Sequence, residues 1–148
     1  MRTLDQLYDF ALSFWGRSYI WGGDGSADYE GGVDCSGLLQ LILETARLDP
    51  PGDQTADSLY RHFLEEGRGT LNHGGLGALV FFGKPERIVH CGFCIDKKIM
   101  LNASGGGRYI TSKELAHQYD ASVKIEPIRR RTDMVAIIMP NYSSRGIF

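Results

Sequence analysis

Cys35, His90 and Asn102 are a thiol, an imidazole and an amide, the residue types that nucleophilic catalysis at a carbonyl calls for. Cys35 stands in Val33-Asp34-Cys35-Ser36-Gly37, directly ahead of Leu38, Leu39, Leu41, Ile42 and Ala46. That apolar run reads as a helix buried on several sides, beginning at Cys35 or Ser36 and capped by Asp34. A thiol in the first turn meets free main-chain N–H groups and the positive end of the helix dipole, and both favour thiolate. Ser36 and Gly37 leave room for a carbonyl to approach the sulfur, and the Cys35 N–H can point at the oxyanion that attack produces. The position equally suits a small buried hydrophobe, and the local pattern does not separate the two.

A base must come from elsewhere in the chain. His62 falls on a third, more exposed helix, His73 in a glycine-rich loop and His117 late in a short helix. His90 alone lies in an apolar strand, Ile88-Val89-His90-Cys91-Gly92-Phe93, where it is either a satisfied core residue or a rigidly held base. Asn102 follows on the next strand. A three-residue loop, Ile95-Asp96-Lys97, sets Asn102 directly opposite His90 on one face, whereas a strict two-residue turn sends it to the other. An amide oxygen accepting from the imidazole would fix its tautomer, as in Cys-His-Asn sites.

The elements that position these residues run helices first, strands after. Apolar residues from Leu4 to Trp15 recur at helical spacing, with Gly16 as a stop. Residues Gly22 to Gly32 form a loop rich in Gly and Asp, and Pro50-Pro51-Gly52 ends the second helix. A third helix covers about Thr55 to Glu66. Strands are expected at 78–82, 88–95, 98–103, 123–128 and 134–139, with a helix opened by the capping box Thr111-Ser112-Lys113-Glu114. The order indicates an α+β fold, N-terminal helices packed on an antiparallel sheet, in one domain over 1–148.

Composition excludes several classes. A net charge of −2 gives no pull toward nucleic acid or membranes, and Arg129-Arg130-Arg131 is the only basic run. Three cysteines cannot form a complete disulfide framework. Zinc is a rival for Cys91-Gly92-Phe93-Cys94 with His90, but strand alternation puts His90 and Cys94 on one face and Cys91 on the other, and a second ligand pair is lacking. No metal or organic cofactor is called for.

Four motifs in order resemble the NlpC/P60 family of papain-like cysteine peptidases. They are Tyr19-Ile20-Trp21-Gly22-Gly23, Asp34-Cys35-Ser36-Gly37, Gly77-Ala78-Leu79-Val80-Phe81-Phe82 and His90-Cys91-Gly92-Phe93-Cys94, with Asn102-Ala103-Ser104 at the family's third polar position. The similarity spans roughly Leu4 to Tyr142. It implies a papain-like fold and hydrolysis of amide bonds in bacterial cell-wall peptides, D-glutamyl-diaminopimelate bonds among them. It also implies Cys35, His90 and Asn102 as catalytic residues, with Tyr19, Asp34 and Ser36 at the oxyanion or substrate. Ala78 stands where the family usually has aspartate, which touches packing more than chemistry. The loop with Asp24, Asp28 and Glu30 borders the expected cleft, where a cationic ligand group would suit it.

The N-terminus lacks the apolar run of a signal peptide, so the chain is expected to be made in the cytoplasm. It would then meet the wall after lysis or as part of a virion, with phage tail proteins as partners, or trim recycled wall peptides in the cytosol. The alternatives are a non-catalytic binding or structural module on the same fold and acyl transfer to a nucleophile other than water.

Overall fold

Helices α1 (Leu4–Leu12), α2 (Cys35–Thr45) and α3 (Ala56–Leu64) precede all the strands in the computed structural model, which describes residues 1–148. The strands are β1 (Gly69–Leu71), β2 (Leu79–Lys84), β3 (Arg87–Cys94), β4 (Ile99–Ser104), β5 (Ser122–Pro127) and β6 (Met134–Pro140), with α4 (Lys113–Gln118) between β4 and β5. They form one antiparallel sheet in the order β1-β6-β2-β3-β4-β5. This is the α+β architecture expected from the sequence. No helix is long and apolar enough to cross a membrane.

Local chemistry accounts for the helix limits, and in three places moves them. Thr3 and Gln6 close a capping box on α1, a feature that contributes about 1 kcal/mol. The α-helix stops at Leu12 rather than Trp15: the Phe14 and Trp15 N–H groups tighten onto the Ala11 (3.1 Å) and Leu12 (3.0 Å) carbonyls, and Gly16 follows in the left-handed region (φ 86°). α2 ends at Thr45, with Arg47 in the left-handed region (φ 57°), so the later prolines are not its stop. Ser112, not Thr111, caps α4, which leaves Glu114 out of reach of a capping box. β1 is unexpected: its residues read as glycine-rich loop, and they become a strand by pairing with β6 at the sheet edge.

The main core lies between the helices and one sheet face, with Leu7, Leu38, Leu39, Ile42, Phe63, Phe81 and Phe93 each 0 or 1% exposed. Burying each such side chain contributes about 1.5–3 kcal/mol. The opposite face carries a smaller cluster built on Ala78, Val80, Phe82, Cys94, Met100, Ile128 and Ile137. Ala78 is fully buried there among apolar side chains, where a carboxylate would lose its water without gaining a partner.

The sheet is irregular at β3, and the irregularity orients His90. Phe82 pairs with His90 but Gly83 pairs with Ile88, so Val89 is a bulge on β3 and is 52% exposed. Ahead of the bulge Ile88 faces the main core, and after it Cys91 and Phe93 do, so the bulge sets the face His90 takes. At the ends of the chain, the Leu4 N–H donates to the Phe148 carbonyl (3.0 Å) and the Phe148 N–H to the Arg2 carbonyl (3.1 Å).

Candidate active site

Cys35 is the first residue of α2, as its motif requires. Asp34 caps the helix: its Oδ1 accepts from the Gly37 N–H at 2.7 Å and from the Ser36 hydroxyl at 3.2 Å. Ser36 is buried, so its side chain belongs to the cap rather than to the cleft wall. The glycines of the two neighbouring motifs interlock. The Asp34 N–H donates to the Gly23 carbonyl (3.1 Å), and a Cβ on Gly37 would run into that same carbonyl. A Cβ on Gly23 would in turn meet the Gly32 carbonyl at 2.5 Å. The spacing of these motifs is thus a packing requirement that fixes the start of α2.

His90 and Asn102 meet across β3 and β4, with Nε2 to Oδ1 at 2.8 Å, and both are buried. The amide nitrogen of Asn102 donates to the Lys124 carbonyl at 3.4 Å, which turns its oxygen toward the ring. That oxygen accepts the Nε2 proton and leaves Nδ1 as the basic nitrogen. The register differs from the expected one. Phe93 pairs with Leu101 and Cys94 with Met100, so the loop is Asp96-Lys97-Lys98, and Gly92, not His90, stands opposite Asn102. The shift keeps the face, and Asn102 reaches His90 diagonally. It does so past Gly92, where a Cβ would lie 3.3 Å from the Asn102 Cβ. No ladder joins β3 to β4 beyond Phe93 and Leu101, and the His90–Asn102 bond closes that gap.

The sulfur sits against β3. A hydrogen bond from the Cys91 thiol and then the bond and charge of His90 hold the Cys35 pKa well below that of an ordinary thiol, against the opposing cost of burial. The Cys91 N–H lowers it a little further. Burial, and next the Cys35 and Asp34 charges, push the Tyr19 phenol well above its usual range, so Tyr19 remains an O–H donor. Burial first, and then the Cys35 charge, raise the Asp34 carboxyl to about 6.

Two features are not read from the sequence. Gly106 lies against the Tyr19 ring so closely that a Cβ there would overlap it, which makes part of the glycine run a seat for Tyr19. Cys91 turns out to be a neighbour of the nucleophile, where the sequence offers it only as a zinc candidate. Cys94 lies in the cluster on the far face, so the C-x-x-C pair does not converge. Among the other histidines, His62 accepts from Arg68 at 2.8 Å, and His73 and His117 are exposed.

A cavity of about 490 Å³ lies along the side of α2 turned away from Cys35, lined by Gly37, Gln40 and Glu44 with Asp24, Asp49 and Asp53; neither Cys35 nor His90 lines it. Of the acids in the 24–32 loop only Asp24 lines it; Asp28 and Glu30 are exposed. That loop is more ordered than its composition suggests, with a 3-10 turn at Ala27–Tyr29 and bridges from Val33 to Tyr19 and Asp24.

The same arrangement of helices and sheet occurs in known structures. The NlpC/P60 domain of the peptidoglycan hydrolase SagA is 17% identical, with 92% of this chain and 97% of that one covered at a TM-score of 0.63. RipD from Mycobacterium tuberculosis, described as a non-catalytic NlpC/p60 domain protein adapted to peptidoglycan binding, is 22% identical, with 95% and 98% covered at a TM-score of 0.67. A lipoprotein-like NLP/P60 protein of Staphylococcus aureus is 16% identical (TM-score 0.65); 93% of this chain matches but only 41% of that longer one. At these identities the likeness establishes the fold. A comparison with curated protein sequences finds no match. The family model for NlpC/P60 covers residues 16–129, which include all four motifs up to Asn102, and the chain belongs to the NlpC/P60 family.

Proposed function

We propose that this protein is a cysteine peptidase that hydrolyses amide bonds in the peptides of bacterial peptidoglycan. The observation that carries the reading is the 2.8 Å bond from His90 Nε2 to Asn102 Oδ1, with that same imidazole among the groups that lower the Cys35 pKa. His90 Nδ1 takes the proton from Cys35, and Asn102 holds the ring. The thiolate attacks the amide carbonyl, and the oxyanion is received by the Cys35 N–H at the head of α2 and by the Tyr19 hydroxyl. The imidazolium then protonates the leaving amine, and water, deprotonated by His90, hydrolyses the thioester. Asp34 and Ser36 hold the helix cap rather than the substrate.

The peptidoglycan hydrolase SagA shares the fold and supports a wall substrate, while RipD shows that the same fold serves binding without turnover. Purified protein and its Cys35→Ala variant, incubated with D-glutamyl-diaminopimelate peptides, separate the two readings. New amine released by the wild type alone supports the peptidase. No release by either, with wall peptide still bound, overturns it in favour of a binding module.

A further inference from the structure

β3 carries two cysteines that the peptidase chemistry leaves without a role. Cys94 faces the smaller cluster on the far side of the sheet. Cys91 follows the base directly, is fully buried, and belongs to the core cluster against which Cys35 packs, where the two thiols shift one another's acidity. Cys35 itself is only partly buried. A partly buried nucleophile thus packs on a cluster that holds a fully buried thiol, each on a regular element of the fold.

We propose that Cys35 and Cys91 form a reversible disulfide when the protein meets a hydroperoxide, with Cys35 as the oxidised residue and Cys91 as the resolving thiol. The inference rests on Cys35 being an activated nucleophile. Its thiolate attacks one peroxide oxygen; an S–O bond forms as the O–O bond breaks, and the leaving oxygen takes a proton and departs as alcohol or water. Cys35 is then a sulfenic acid, oxidised by two electrons, and the peroxide is reduced by two. The Cys91 sulfur next attacks the Cys35 sulfur; the S–S bond forms as the S–O bond breaks, and hydroxide leaves with the Cys91 proton as water.

The surroundings favour that order. Of the three cysteines only Cys35 is not fully buried. Burial first, and then the bond to Cys35 and its charge, keep Cys91 a thiol until the first step; oxidation removes that charge, and Cys91 ionises more readily once there is a sulfenic acid to attack. The sulfurs must close to a bond of about 2.05 Å, a movement that the side-chain torsions of both residues can share. The product stores the nucleophile in a state that a thiol reductant reverses, and diverts it from sulfinic acid, which such reductants do not reverse.

The test begins with reduced protein and a limiting thiol alkylator near pH 6. If Cys35 is not labelled ahead of Cys91 and Cys94, the nucleophile reading fails and this inference with it. If it is, the protein is treated with hydrogen peroxide and digested without reductant. Loss of two hydrogens and a peptide linked through Cys35 and Cys91, with labelling restored by dithiothreitol, is the expected result. Cys91→Val should instead add oxygen to Cys35 and recover about tenfold less labelling after reductant. Added oxygen without a link in the wild type, or a link to Cys94, overturns the inference while leaving the nucleophile intact; the wild-type result stands even if Cys91→Val does not fold.

Discussion

The two halves of the site are built in opposite ways. The nucleophile half is local: Asp34 caps α2, and Gly23 and Gly37 lock within fourteen residues of one another, so motif and geometry are one object. The base half is assembled at a distance. His90 owes its face to a bulge at Val89, and Asn102 reaches it only because two strands pair in one register and then part. A site held partly by a rigid local lock and partly by sheet geometry should fail differently at its two ends.

Cys35→Ala tests the local end most severely. Hydrolysis of wall peptides should fall by at least about 10³-fold while circular dichroism and the melting temperature stay near wild type, since the residue is a partly exposed first-turn position. At the other end, Asn102→Ala should lower kcat by about 10–100-fold and change KM little, because the amide orients the base and does not touch the bond being broken. Steady-state kinetics on one peptide distinguishes these outcomes.

A matched glycine pair sharpens the contrast. Gly37→Ala drives a Cβ into a main-chain carbonyl that cannot easily move, and urea unfolding should show a loss of about 1–3 kcal/mol. Gly92→Ala meets the flexible end of Met100 and, at 3.3 Å, the Asn102 side chain. It should cost less than about 1 kcal/mol in stability yet slow kcat several-fold by displacing Asn102. Equal stability losses for the two variants would contradict the contrast between a locked half and an assembled one.

The smallest effect concerns pH. Because burial raises the Asp34 carboxyl to about 6, the folded protein holds a proton that the unfolded chain releases near its ordinary value of about 3.9. The associated stability is fully present below that lower value and is lost as pH rises through about 6. The melting temperature of the wild type relative to Asp34→Asn should therefore fall over that interval and level off above it.

The same asymmetry decides what the sequence discloses. α2, its cap and its nucleophile are legible, because neighbours in the chain dictate them. The strands are legible from composition, and so is the α+β arrangement. Asn102 is placed on the right face for a reason of parity, while the pairing itself lies two residues away, since nothing in Ile95-Asp96-Lys97-Lys98 declares where the loop starts. The bulge at Val89 carries no signal of its own, and β1 exists only through its partner β6. The seat that Gly106 makes for Tyr19 and the contact of Cys91 with Cys35 arise only when distant segments are packed together.

The pairing of Leu4 with Phe148 and of Phe148 with Arg2 nearly closes the chain into a ring. Its two ends therefore do not fray independently: opening either one releases the other, and with it the start of α1. Amide exchange at Leu4 and Phe148 reports one event rather than two. The cost of bringing the ends together is already met in the native state, so a short peptide joining them would remove entropy from the unfolded chain alone.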